Sequence, residues 1–142
     1  MSPALLVAIG NPLRGDDGVA SEVLRLLKLP EEANALEVHQ LTPEIAATMS
    51  HFGKVVFIDA SFAVDSPRLT KPDLPVPSAT LGHTLHPAEL VLIAQRVSGF
   101  VGRAYLLEVP VEGTELGAPL SSRARAGAVA AAELLARSWN EL

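Results

Sequence analysis

The chain has 142 residues, 49% apolar and 19% charged, with a formal charge of -5 and no cysteine. A single domain over residues 1–142 is expected, long enough to bury its own core. The acidic balance, with no Lys/Arg cluster, argues against nucleic acid or an anionic membrane as partner. The lack of thiols removes disulfides, thiolate nucleophiles, cysteine zinc sites and iron–sulfur ligation.

Residues 4–9 form a continuous apolar run, the pattern of a strand covered on both faces. No basic stretch precedes it, and six apolar residues are too few for a secretion signal or a membrane span, so a cytoplasmic protein is expected. A loop of glycines, one proline and two adjacent acids follows: Gly10-Asn11-Pro12-Leu13-Arg14-Gly15-Asp16-Asp17-Gly18. Val19, Val23, Leu26 and Leu27 then fall on one stripe of a helix that should stop near Pro30. Asp16 and Asp17 stand at its N-terminal end, where either could cap it.

Residues 35–39 read as a short second strand. Thr42 is expected to cap a helix with Pro43 at its first position, running to about His51 and stopping at Gly53. Residues 54–60 (KVVFIDA) carry the strongest strand pattern and deliver Asp59 to their carboxyl end. From Ser61 to Thr80, four prolines exclude a long helix, and residues 68–71 could form an edge strand. Pro87 suits the first position of the next helix, which puts His86 at its cap and His83 in the loop before it. Residues 103–111 predict another strand, ending or exposed at Pro110. Ser121 can cap a final alanine-rich helix over 124–137 that presents Val129, Leu135 and Trp139. The alternation predicts an α/β fold: a three-layer sandwich around a twisted, mostly parallel sheet of about five strands, with helices on both faces.

The acids after the first strand, Asp59 after the third and His83 before a helix should meet at one sheet edge, where open α/β folds place their sites. Two carboxylates and an imidazole suit a divalent transition ion with positions left open for substrate or water; zinc or cadmium would also accept the set in vitro. By spacing alone the set is more simply read as a helix cap, a strand end and a loop histidine, since no two of the ligands lie at helical i, i+4 separation. No Gly-x-Ser-x-Gly elbow occurs, and the glycines of the first loop lack the dinucleotide spacing. His39 and His51 read as ordinary surface or core histidines, and His86 as a cap before a ligand.

Taken together, Gly10-Asn11-x-Leu13-x-Gly15-Asp16-Asp17-Gly18, Val56-Phe57-Ile58-Asp59-Ala60, Gly82-His83-Thr84-Leu85, Glu89-Leu90 and Gly117-x-x-Leu120-Ser121 resemble the hydrogenase maturation endopeptidases. The resemblance runs in order through nearly the whole chain. It implies an endopeptidase that removes the C-terminal extension of a NiFe-hydrogenase large-subunit precursor after nickel insertion. The family's metal-binding residues map onto Asp17, Asp59 and His83, which would recognise nickel already in the substrate; no tightly held metal of its own is expected. Asp16 matches the other acid of the motif and would assist in positioning or catalysis. The second acid is glutamate in some members, and Leu81 stands where members often carry serine. A monomer is expected, with the precursor as partner. Two other readings share the scaffold: a non-catalytic maturation chaperone, and a peptidase acting on a different protein.

Overall fold

Five strands form one sheet in the order β2-β1-β3-β5-β4 in the computed structural model, which describes residues 3–29, 33–74 and 85–142. The strands are β1 (Ala4–Ile9), β2 (Asn34–Val38), β3 (Lys54–Ser61), β4 (Arg68–Thr70) and β5 (Arg103–Pro110). The helices are α1 (Val19–Leu26), α2 (Ile45–Met49), α3 (Pro87–Val97) and α4 (Ser122–Ser138). β1 pairs in parallel with β2 and β3, and β3 in parallel with β5; only β4 runs antiparallel, against β5. The predicted three-layer arrangement and the edge strand at 68–70 are both present.

The two faces of the sheet explain why the strand sequences are apolar throughout. Leu6, Ala8, Val56, Ile58, Leu107 and Val109 meet α1 and α4 through Val19, Val23, Ala128, Ala131 and Leu135. The alternate residues Leu5, Val7, Ile9, Val55, Phe57 and Leu106 meet α2 and α3 through Ile45, Met49, Leu90 and Ala94. A strand buried on both faces cannot alternate with polar residues, and each buried Val, Leu, Ile or Phe among them stabilises the fold by roughly 1.5–3 kcal/mol. Small residues let α4 close on the sheet. A Cβ at Gly127 would lie 3.0–3.2 Å from atoms of Pro110, so the helix sits as near β5 as backbone allows.

Several local expectations shift. β2 is displaced by one residue from the expected 35–39, and α2 begins at Ile45 rather than Pro43, with Thr42 and Pro43 accepting its first turn bonds through their carbonyls. Pro110 does end β5, but inside the sheet: β4 pairs only with Leu106–Glu108, so the missing N–H of Pro110 removes no bond to that neighbour. Val129 is exposed, whereas Leu135 and Trp139 are buried. Trp139 lies in a 3-10 turn beyond α4, with the Lys54 ammonium 4.2 Å from its ring centroid. Pro30, the expected stop of the first helix, lies outside the described residues; α1 already ends at Leu26. No described helix is long and apolar enough to cross a membrane.

Candidate active site

The strand order reverses at β1: the chain moves from β1 to β2 on one side and then to β3 on the other. The crevice outside the carboxyl ends of β1 and β3 is therefore the topological switch point of the sheet, where α/β folds bind ligands. The Gly10–Gly18 loop leaves β1 at this point. Gly10 has φ 141° and its N–H donates to the Val38 carbonyl at 2.8 Å. A Cβ on Gly10 would lie 1.8 Å from the Asp17 carbonyl oxygen, so no side chain is compatible with this turn. The close approach brings the Asp17 carboxyl over the end of β1. The Asn11 N–H donates to Asp17 Oδ2 at 2.7 Å, and the Asn11 side chain accepts from the Leu13 N–H at 3.0 Å. Asp17 is half-buried, and among the described residues its Oδ1 has no donor. It does not cap α1, as was one expectation. The cap residue is Gly18, and the Asp17 carboxylate is turned back toward Asn11.

Asp59 lies near the end of β3, on the α2/α3 face and in register with Glu108 of β5. Burial pushes its carboxyl up to about 7; the Ala60 N–H opposes the rise, and the neighbouring charges of Asp17 and Glu108 add to it. A carboxyl that takes and releases a proton near neutrality is suited to acid–base work. Glu108 carried no signal in the sequence. An acid two residues before the end of a strand becomes a neighbour of Asp59 only through the β3–β5 register.

Asp16 faces the opposite way. It is 1% exposed, and both carboxylate oxygens are occupied. Oδ2 accepts from the Glu112 N–H (2.7 Å), the Gly113 N–H (3.2 Å) and the Ser121 hydroxyl (2.6 Å), and Oδ1 accepts from the Ser121 N–H (2.7 Å). Burial alone would raise its pKa, but the four donors outweigh it and the carboxyl is held below its ordinary value. The Ser121 hydroxyl in turn accepts from the Ala124 N–H, so the α4 cap and Asp16 share one chain of hydrogen bonds. Asp16 ties the loop after β1 to the loop before α4, and caps neither the 3-10 turn at Gly15–Gly18 nor α1.

His83 lies outside the described residues, so Asp17 and Asp59 are the two members of the expected ligand set that the structure places together. Among the described residues no three His, Asp or Glu side chains form a group able to hold a metal ion. His39 and His51 are exposed. His86 is the N-cap of α3, as expected: its Nδ1 accepts from the Ala88 N–H at 3.0 Å, and the Glu89 carboxylate accepts from the His86 N–H at 2.8 Å. Burial holds its pKa below the ordinary histidine value, against the pull of Glu89 and Glu108. With Nδ1 accepting, the neutral ring carries its proton on Nε2. His86 also shares a cavity with Asp59, which the sequence did not reveal.

No protein-family model and no curated protein matches the sequence. Solved structures do match. The NiFe-hydrogenase maturation protease HycI from Thermococcus kodakarensis KOD1 superposes with a TM-score of 0.72 at 20% identity, over 96% of this chain and 92% of that one. The hydrogenase maturating endopeptidase HybD from E. coli gives 0.73 at 20% identity, over 98% and 93%. A hydrogenase 2 maturation peptidase from a Thaumarchaeota archaeon gives 0.64 at 23% identity, over 96% and 97%. The chain is similar to these proteins in fold over essentially its whole length.

Proposed function

We propose that this chain is an endopeptidase that removes the C-terminal extension of a NiFe-hydrogenase large-subunit precursor after nickel insertion. The observation that carries this reading is the pairing of Asp17 and Asp59 at the switch-point crevice, on a fold shared with maturation proteases. In this reading Asp17, Asp59 and His83 receive the nickel borne by the precursor, Asp17 through Oδ1, which has no donor among the described residues. Asp59 takes a proton from the attacking water as the scissile carbonyl carbon is attacked, and returns it to the departing amine as the C–N bond breaks. A polypeptide substrate also suits the rim of the crevice. Leu13, Phe62 and Leu116 are 67%, 67% and 71% exposed on the loops that leave β1, β3 and β5.

The test mixes purified protein with nickel-loaded and nickel-free precursor and follows processing by mobility shift. Nickel-dependent cleavage is expected, lost in Asp17→Ala although that variant stays folded. Cleavage indifferent to nickel would remove the recognition role. Stable co-purification with an unprocessed precursor would point instead to a non-catalytic chaperone.

A further inference from the structure

Beside Asp59, at the carboxyl ends of β1 and β3, lies a cavity of about 180 Å³. Its walls include Ile9 from the end of β1, Leu41 from the segment after β2, and Leu85 and Pro87 at the start of α3; His39, Gln40, Asp59 and His86 add polar atoms. An apolar cavity of about 150 Å³ accommodates a benzene-sized guest, so this one holds a single large side chain and nothing bulkier. Its lining comes from four separate segments, so the fold builds the recess and no one loop does. We infer that this cavity is a specificity pocket that takes one large apolar side chain of the polypeptide substrate, next to the bond that is cut. The inference rests on the peptidase reading for its substrate.

Two features make an apolar side chain the fitting occupant. The four aliphatic walls offer dispersion contact on several sides, and apolar surface outweighs polar surface in the lining. Asp59 belongs to the lining, so the reacting backbone must lie beside the pocket if Asp59 acts on it. His86 is a positioning residue in this arrangement. Its Nδ1 is used internally by Ala88, so Nε2–H is the donor left for a backbone carbonyl of the bound segment. The pocket thus places the side chain while His86 and Asp59 address the chain beside it.

The experiment has two arms. In the first, the cleaved bond of the nickel-loaded precursor is mapped by mass spectrometry, and the residue on each side of it is replaced in turn by Leu, Phe, Ala and Lys. At one of the two positions, Ala should be processed roughly 10–200-fold more slowly than Leu, the penalty for an unfilled apolar pocket. Leu85→Trp, at a half-buried wall position, should fill the cavity and bring the Leu and Ala substrates to equal rates. Equal processing of Leu, Ala and Lys at both positions by the unaltered protein would overturn the inference, as would faster processing with Lys, which would mark an acidic pocket. In the second arm, N-acetyl-leucine amide and N-acetyl-glycine amide are titrated into the 15N-labelled protein. The leucine compound should shift the amides of Leu41, Leu85 and His86, and the glycine compound should not. Selective shifts without cleavage of any precursor would sink the peptidase reading and leave the pocket standing. No difference between the two compounds would refute the pocket, whether or not the precursor is cut.

Discussion

Asp59→Asn should make the metal-free protein more stable at pH 8 while abolishing processing. In the unfolded chain this carboxyl titrates at its ordinary 3.8, and in the fold at about 7. The folded state therefore holds the proton more tightly. Below pH 3.8 both states are protonated and the group imposes no penalty. Between 3.8 and 7 the unfolded state ionises first, so stability falls as pH rises; above 7 both are ionised and the penalty is complete. At 1.36 kcal/mol per pH unit the full difference is roughly 4 kcal/mol, and partial solvent access to Asp59 brings the expected value to about 2 kcal/mol. Asparagine keeps the shape and can still accept from the Ala60 N–H, yet carries no charge to set against Asp17 and Glu108. Urea unfolding at pH 5 and pH 8 reads the effect. The unaltered protein should lose stability between the two, and Asp59→Asn should lose about 1.3 kcal/mol less, because part of the penalty is already present at pH 5; that difference is worth roughly 3–5 °C in Tm. A variant that is destabilised at pH 8, or that keeps the same pH dependence as the unaltered protein, would refute the assignment of the penalty to this carboxyl.

Asp16 should behave in the opposite sense. Asp16→Ala strands four donors from the loop before α4 and should cost about 3–5 kcal/mol by denaturant unfolding. Asp16→Asn should also be destabilised, because the Oδ2 and Oδ1 sides both face donors and an amide has only one oxygen. Since the folded carboxyl lies below 3.8, its contribution is present above that pH and disappears as pH falls through the folded value, so the gap between the unaltered protein and Asp16→Ala should narrow in acid. Gly10→Ala should fail to fold at 37 °C by circular dichroism, because its methyl group would overlap the Asp17 carbonyl.

Composition and periodicity alone determined the layer order of this protein. The unbroken apolar runs of β1 and β3 require cover on both faces, the helical stripes between the strands supply it, and Gly10 and Pro87 mark where elements must turn or begin. The cap at His86 and the edge strand at 68–70 were legible for the same reason: each depends on residues within a few positions of one another. What became of the two adjacent acids was decided by tertiary contacts. Asp16 and Asp17 are equivalent to any local rule, yet one is consumed by donors from residues 112–121 and the other turns to Asn11, its second oxygen without a donor among the described residues. Nothing near them in the chain distinguishes the two, because the donors that do so arrive about a hundred residues later. The neighbourhood of Asp59 is likewise a product of register, which sets Glu108 beside it and closes a cavity against Leu41 and His86. Short-range sequence carries turns, caps and faces; the partners of a buried charge are chosen only when distant strands and loops pack together.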